Sequence, residues 1–195
     1  DLGNQLDLFG DYTIEATNIE ISPSNQSYTI FSKSDETNTS NTNPKGYMFY
    51  VSNGDLIFGY RLVNGESWNA IIASGQINDN QSYNLAVTRL NNNVELYING
   101  VPVVSGTYSD NIIFPSTVKS YIGRWRNGTG GYTGYYYDGL MDEVSIWNRA
   151  LSADELNEQD DSDEGLMAHY KFNAGAGDTL YDHSGNGNHG TLMNM

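Results

Sequence analysis

The chain has 195 residues, no cysteine and a formal net charge of −15, from 24 acidic and 9 basic residues. Without thiols there are no disulfides, zinc–thiolate centres or cysteine nucleophiles, and the negative field repels nucleic-acid backbones and anionic membrane surfaces. No apolar run approaches the ~20 residues that a membrane-spanning helix needs, and the length suits one domain of roughly 100–200 residues.

Alternation with a period of two dominates the chain. Residues 12–16, 47–51, 55–60, 83–89 and 94–98 each place alternate side chains on opposite faces, the pattern of half-buried strands. Turn chemistry separates them. Asn53-Gly54 reads as a tight hairpin turn, Asn91-Asn92-Asn93 joins two strands, and Asn99-Gly100 leads into a further one. This spacing predicts an antiparallel sandwich or barrel. Residues 34–45 form a polar loop, and 127–137 a Gly- and Tyr-rich loop or hairpin. The one helix candidate covers residues 151–163, where Ser152 with Glu155 makes a capping box, and it runs into an acidic stretch at 160–164. Strand alternation resumes at 166–172. The last thirty residues are too few for a second domain, so they are expected to dock on the sandwich, hiding Met167, Phe172 and the face of His169 or Tyr170.

The stretch from Asp138 to Leu156, with Gly139-Leu140-Met141-Asp142-Glu143-Val144 followed by Leu151-Ser152-Ala153-Asp154-Glu155, resembles the most recognisable segment of LamG-like (laminin G-like) domains in the concanavalin A-like lectin/glucanase superfamily. Residues 120–124 resemble that family's preceding strand, 83–89 with 94–100 its hairpin, and 12–16 its early strand, with Thr17 where Trp is usual. Residues 165–172 and 182–190 resemble a motif that normally precedes the early strand and here follows the helix, so they either complete this sandwich from the other end, as in a permuted variant, or begin a next tandem copy. The resemblance implies an all-β fold: a two-sheet antiparallel β-sandwich, a concanavalin A-like jelly roll with one short helix. The expected organisation is a single domain over 1–195, with 165–195 supplying strands that complete it.

Catalysis finds little footing. A retaining glycosidase needs two carboxylates roughly 5–5.5 Å apart, and no suitably spaced pair stands on one strand. Asp142 and Glu143 are adjacent and point to opposite faces, and His169, His183 and His189 have no nucleophile or base pattern beside them. The expectation is a non-enzyme. Glycan recognition asks for aromatic faces and hydroxyl-binding polar groups, and Trp68, Trp125, Arg126, Tyr132, Tyr135 and Tyr136 are the candidates; Trp125 and alternate tyrosines can equally be read as packing the second sheet. Trp147 is read as core. The resemblance also implies a structural calcium at Asp142, and the loop of Asp182 and Asn186 offers further oxygen ligands; the competing reading makes these residues ordinary turn formers. The predicted function is a non-catalytic carbohydrate-binding module of a larger secreted or cell-surface protein, with the net charge favouring a neutral glycan. The alternative is an adhesion, spacer or protein-interaction module docking an extracellular protein or other domains of a parent protein, and the third reading is a glycoside hydrolase or polysaccharide lyase.

Overall fold

The computed structural model describes residues 1–4, 6–22, 27–34, 45–62, 66–108, 118–127, 132–158 and 164–193, with the backbone alone at 126, 127 and 132–134. Most of the polar loop at 34–45 and of the acidic stretch at 160–164 lies outside the described residues.

Two antiparallel sheets face each other, as in a jelly roll. The larger is built from β1 (Tyr12–Ile21), β6 (Ser82–Leu90), β7 (Asn93–Ile98), β8 (Val101–Thr107), β12 (Gly139–Leu140), β13 (Glu143–Trp147) and β14 (Leu166–Tyr170). Its order is β14-β13-β1-β6-β7-β8, with β12 beside the far end of β1. The smaller sheet contains β2 (Ser27–Ser34), β3 (Gly46–Ser52), β4 (Asp55–Arg61), β5 (Asn69–Ala73) and β9 (Ser120–Ile122), in the order β5-β4-β3-β2-β9. Two small ribbons complete the fold: β10 (Trp125–Asn127) with β11 (Tyr132–Gly134), and β15 (Thr179–Leu180) with β16 (Gly190–Thr191).

The turns do what their residues dictate. Asn53 and Gly54 take φ of 51° and 82° between Ser52 and its partner Asp55, and Asn99 and Gly100 take 51° and 70° between Ile98 and Val101. Positive φ at both central residues is the tight-hairpin geometry that matches strand twist, and Asn-Gly meets it at least cost. The strands then carry inward rows. Ile14 and Ala16 of β1, Leu85 and Val87 of β6, and Val144 and Ile146 of β13 meet Ile30, Phe49, Leu56 and Phe58 of the smaller sheet in one core. The segment before β1 closes one end, with Leu2, Leu6 and Leu8 buried and Asp7 paired at 2.7 Å to the wholly enclosed Lys33 of β2. An enclosed ammonium is tolerated only with such a partner.

Helix α1 (Ala153–Glu158) begins at the predicted box. The Ser152 N–H and Oγ–H donate to Glu155 Oε2 at 2.7 and 2.8 Å, and the Glu155 N–H donates back to Ser152 Oγ at 3.3 Å. The helix lies on the outer face of the larger sheet. There Leu151 and Leu156 pack with Ala86, Tyr97 and Trp147 in a second cluster separate from the main core. Trp147 is thus buried, at 6% exposure, outside the interlayer core rather than within it. The reason is register: Trp147 stands opposite Thr13, whose neighbours Tyr12 and Ile14 face inward.

Beyond the helix, β14 adds to the edge of the larger sheet, with Val144 opposite Tyr170 and Ile146 opposite Ala168. Tyr170 is fully enclosed and donates its hydroxyl to the Asn188 carbonyl at 2.6 Å. Among the described residues no helix is long and apolar enough to cross a membrane.

Candidate functional site

The outer face of the smaller sheet carries the aromatic site. Strand partners face the same side, so Ser32, Met48 and Gly59 form one row and Thr29, Tyr50 and Ile57 the next, with Arg61 two residues beyond Gly59. Gly59 interrupts its row for a reason. A Cβ there would sit 2.0 Å from Nε1 of Trp68, so the missing side chain lets the indole lie on the strand. Trp68 in turn meets Trp125 edge-on, with ring centroids 5.2 Å apart at 76°, and the Arg61 guanidinium stands 5.1 Å from the Trp68 ring centre.

The opposite wall is Tyr135. It holds a φ of 58°, a conformation that costs energy for a side chain of this size. A backbone bond from the Thr29 N–H to the Tyr135 carbonyl, at 3.1 Å, fixes it there and leaves its side chain 48% exposed at the cleft. Ser27, Met48, Tyr50, Arg61, Trp68, Trp125 and Tyr135 enclose a cleft of about 250 Å3. Burial, with Tyr135 nearby, pushes the Tyr50 phenol up to about 12, so it stays a neutral hydroxyl donor.

Of the predicted aromatic set, Trp68, Trp125 and Tyr135 therefore converge. Trp125 is only 6% exposed. It braces Trp68 rather than offering an open face. Tyr136 lies elsewhere, on a cleft lined by Arg124 and Phe172, because the residue after Tyr135 projects the other way. Arg126 and Tyr132 belong to the β10–β11 ribbon, where Asn127 opposes Tyr132, and their side chains lie outside the described ones. Ser27, Met48, Tyr50 and Arg61 escaped the sequence reading. Arg61 had a signal: it follows the Ile57, Gly59 alternation onto the face that a mid-strand glycine opens.

The predicted calcium set holds the protein's own turns. Asp142 Oδ2 accepts from Asn18 Nδ2 at 2.9 Å and its N–H donates to the Thr17 carbonyl at 3.3 Å, pinning the bulge of β1 between Ala16 and Ile19. Asp182 Oδ1 accepts from the N–H groups of His169 and Ser184, and Oδ2 from Ser184 Oγ and the Asn188 N–H, all at 2.9 Å. Burial works to raise this carboxyl, yet the four donors hold it below its ordinary value. The Asn186 amide nitrogen donates to the carbonyls of Leu166 and Met167 at 2.8 and 3.2 Å. A calcium ion needs six to eight oxygen ligands, whereas the roughly four lone-pair sites of this carboxylate are filled. Among the described residues no group of three His, Asp or Glu is spaced to hold a metal. Asp142, Asp182 and Asn186 in this arrangement do not fit a shared calcium site.

On the other sheet, Glu15 and Glu143 interact across β1 and β13, and His169 Nε2 lies 3.0 Å from Glu143 Oε2. This grouping was invisible in the sequence because its members come from three strands. His189 Nδ1 accepts from the Asp182 N–H at 3.0 Å, which gives it a structural task.

Comparison with known proteins places this geometry. A family model described as the concanavalin A-like lectin/glucanases superfamily matches residues 2–157. No curated protein matches the chain. Among solved structures, the CBM40 of the Ruminococcus gnavus IT-sialidase superposes with a TM-score of 0.64 at 19% identity, over 78% of this chain and 83% of that one. A Bacteroides ovatus protein to which carbohydrate binding is ascribed superposes with a TM-score of 0.67 at 19% identity, over 94% of this chain and 54% of that one. A SAP-like pentraxin from Limulus polyphemus gives 0.54 at 19% identity, over 78% and 70%. These identities establish a shared fold.

Proposed function

This chain belongs to the concanavalin A-like lectin/glucanase superfamily, and from that premise we propose that it is a non-catalytic carbohydrate-binding module that takes a sugar ring in the Trp68–Tyr135 cleft. One observation carries the reading: an aromatic wall built at structural cost, with a glycine given up at 59 for Trp68 and a left-handed backbone held at Tyr135. Between these walls the hydroxyls of Ser27 and Tyr50 and the guanidinium of Arg61 supply directional partners for sugar hydroxyls. The volume lies below the roughly 300–1,000 Å3 of sites for drug-sized ligands, which suits one ring rather than several. The R. gnavus module and the B. ovatus protein support the reading, since their descriptions name carbohydrate binding. Arg61 beside the stacking wall extends the range from neutral sugars to acidic ones, against the net charge of the chain.

The test is a glycan array followed by calorimetry with the best hit, on the unmodified chain and on Trp68→Ala and Tyr135→Ala. Each variant is expected to weaken binding about tenfold or more while keeping the melting temperature within a few degrees. Absence of any glycan hit, or full affinity in both variants, overturns the assignment.

A further inference from the structure

The lysine–carboxylate pairs of this chain differ in how much water reaches the amine. Lys119 meets Asp1 Oδ2 at 2.6 Å with half of its side chain in solvent, so its ammonium stays hydrated. Lys33 stands at the other extreme. It sits on β2 between Tyr47 of β3 and Ser120 of β9, two residues beyond Phe31 and on the same inward face. Its side chain is wholly enclosed, and Nζ lies 2.7 Å from Asp7 Oδ1.

The surroundings of this pair stabilise charge poorly. Leu6 and Leu8 flank Asp7 and are buried, and the rings of Phe31 and Tyr47 stack against each other beside the lysine. The Leu6 carbonyl accepts from Nζ at 3.5 Å, a long contact. Asp7 Oδ1 is enclosed, and its short approach to Nζ lacks the angles of a hydrogen bond. Burial holds the Lys33 amine below its ordinary value, although Asp7 works to raise it. Two groups of opposite charge, pressed together away from water, gain by becoming neutral.

We propose that Lys33 and Asp7 are a modification site, at which the folded chain joins the two side chains in an internal amide bond. Lys33 Nζ attacks the Asp7 carboxyl carbon, a C–N bond forms and a C–O bond breaks. Two of the three ammonium protons leave with the departing oxygen as one water, so ammonium and carboxylate give a neutral amide with no net change of charge. No oxidant or co-reactant is consumed. The fold supplies the drive by holding the groups in contact, since well-oriented neighbours react as though present at about 10⁵–10⁸ M. Asp7 keeps 30% of its side chain exposed, which gives the released water a way out. The product ties the segment ahead of β1 to β2 and constrains the unfolded chain as a disulfide does, in a chain that has no cysteine. Lys119 and Asp1, at the same separation but in solvent, lack the desolvation and remain an ion pair.

The test is intact-mass spectrometry of the full chain, purified in its folded state and incubated to constant mass, with peptide mapping to place any bond. The chain is expected to weigh one water less than its sequence, with the peptides that carry Asp7 and Lys33 joined. Lys33→Met, which keeps the bulk and removes the nucleophile, should keep the full sequence mass, and so should an unmodified chain held in denaturant throughout. The full mass in the folded, unmodified chain overturns the proposal. So does a water lost elsewhere, such as a succinimide at Asp138-Gly139, or a loss that persists in Lys33→Met or in denaturant. If Lys33→Met fails to fold, the peptide map of the unmodified chain decides alone.

Discussion

The outer faces of the two sheets are built from the same strand alternation and end in opposite states. On the larger sheet, α1 folds down over Ala86, Tyr97 and Trp147, and the face becomes a satellite core. On the smaller sheet, Gly59 admits Trp68, Trp125 braces it, and the aromatic surface stops short of closure, leaving a cleft. The difference teaches that buried aromatic residues on an outer face close into a satellite core where a helix covers them and line an open cleft where only ring edges and a loop do.

That contrast is sharpest at its tryptophans. Trp147→Ala is expected to cost about 3–5 kcal/mol, as for other large-to-small changes in packed clusters, and to leave glycan affinity untouched. Chemical denaturation and calorimetry together check it. A small stability loss there would erase the distinction between the two faces. Gly59→Val reverses the emphasis. Its side chain collides with the Trp68 indole, so a loss of about 1–3 kcal/mol from overpacking should come with loss of sugar binding and a changed near-ultraviolet circular dichroism.

The covered face also predicts a pH dependence that the open one lacks. Burial, aided by Glu143, raises the Glu15 carboxyl to about 7 from 4.5, and among the described residues it makes no hydrogen bond. The folded state therefore holds a proton that the unfolded chain has released. This penalty is absent below pH 4.5, grows as pH rises towards 7, and is complete above it. Glu15→Gln should flatten the stability profile across that window and gain about 1–2 kcal/mol at pH 8, allowing for solvent screening. An unchanged slope would show that the carboxyl is solvated. The smallest effect is expected from Ser152→Ala, which removes the cap of α1 and should cost about 1 kcal/mol, read as a lower melting temperature with intact ligand binding.

How far these features were legible depended on whether their causes were local. The hairpins at Asn53-Gly54 and Asn99-Gly100, and the Ser152–Glu155 cap, are written in adjacent residues and emerged from sequence alone. Trp68, Trp125 and Tyr135 stand together as aromatic candidates, whereas Tyr136 lines a different cleft, since the left-handed backbone at Tyr135 just beyond β11 sends the two rings apart. Asp142 and Asp182 looked like cation ligands because carboxylates beside turns serve both purposes. The donors around them, gathered from the β1 bulge and from residues 169, 184 and 188, come together only in the folded chain. The Glu15–Glu143–His169 group required the register of three strands.

The placement of β1 has a consequence for how the chain comes to be folded. Ile14 pairs with Val87 on one side and with Ile146 on the other, and β14 then adds beyond β13. During synthesis the ribbons from β2 to β8 zip between near neighbours, whereas β1 keeps one edge bare until β13, more than 120 residues later, has left the ribosome. Closing so long a loop late makes folding slow, and a bare edge held open for that interval invites pairing between nascent chains. The yield of soluble protein should therefore depend on how quickly β13 and β14 follow β1, more than on any single contact in the finished core.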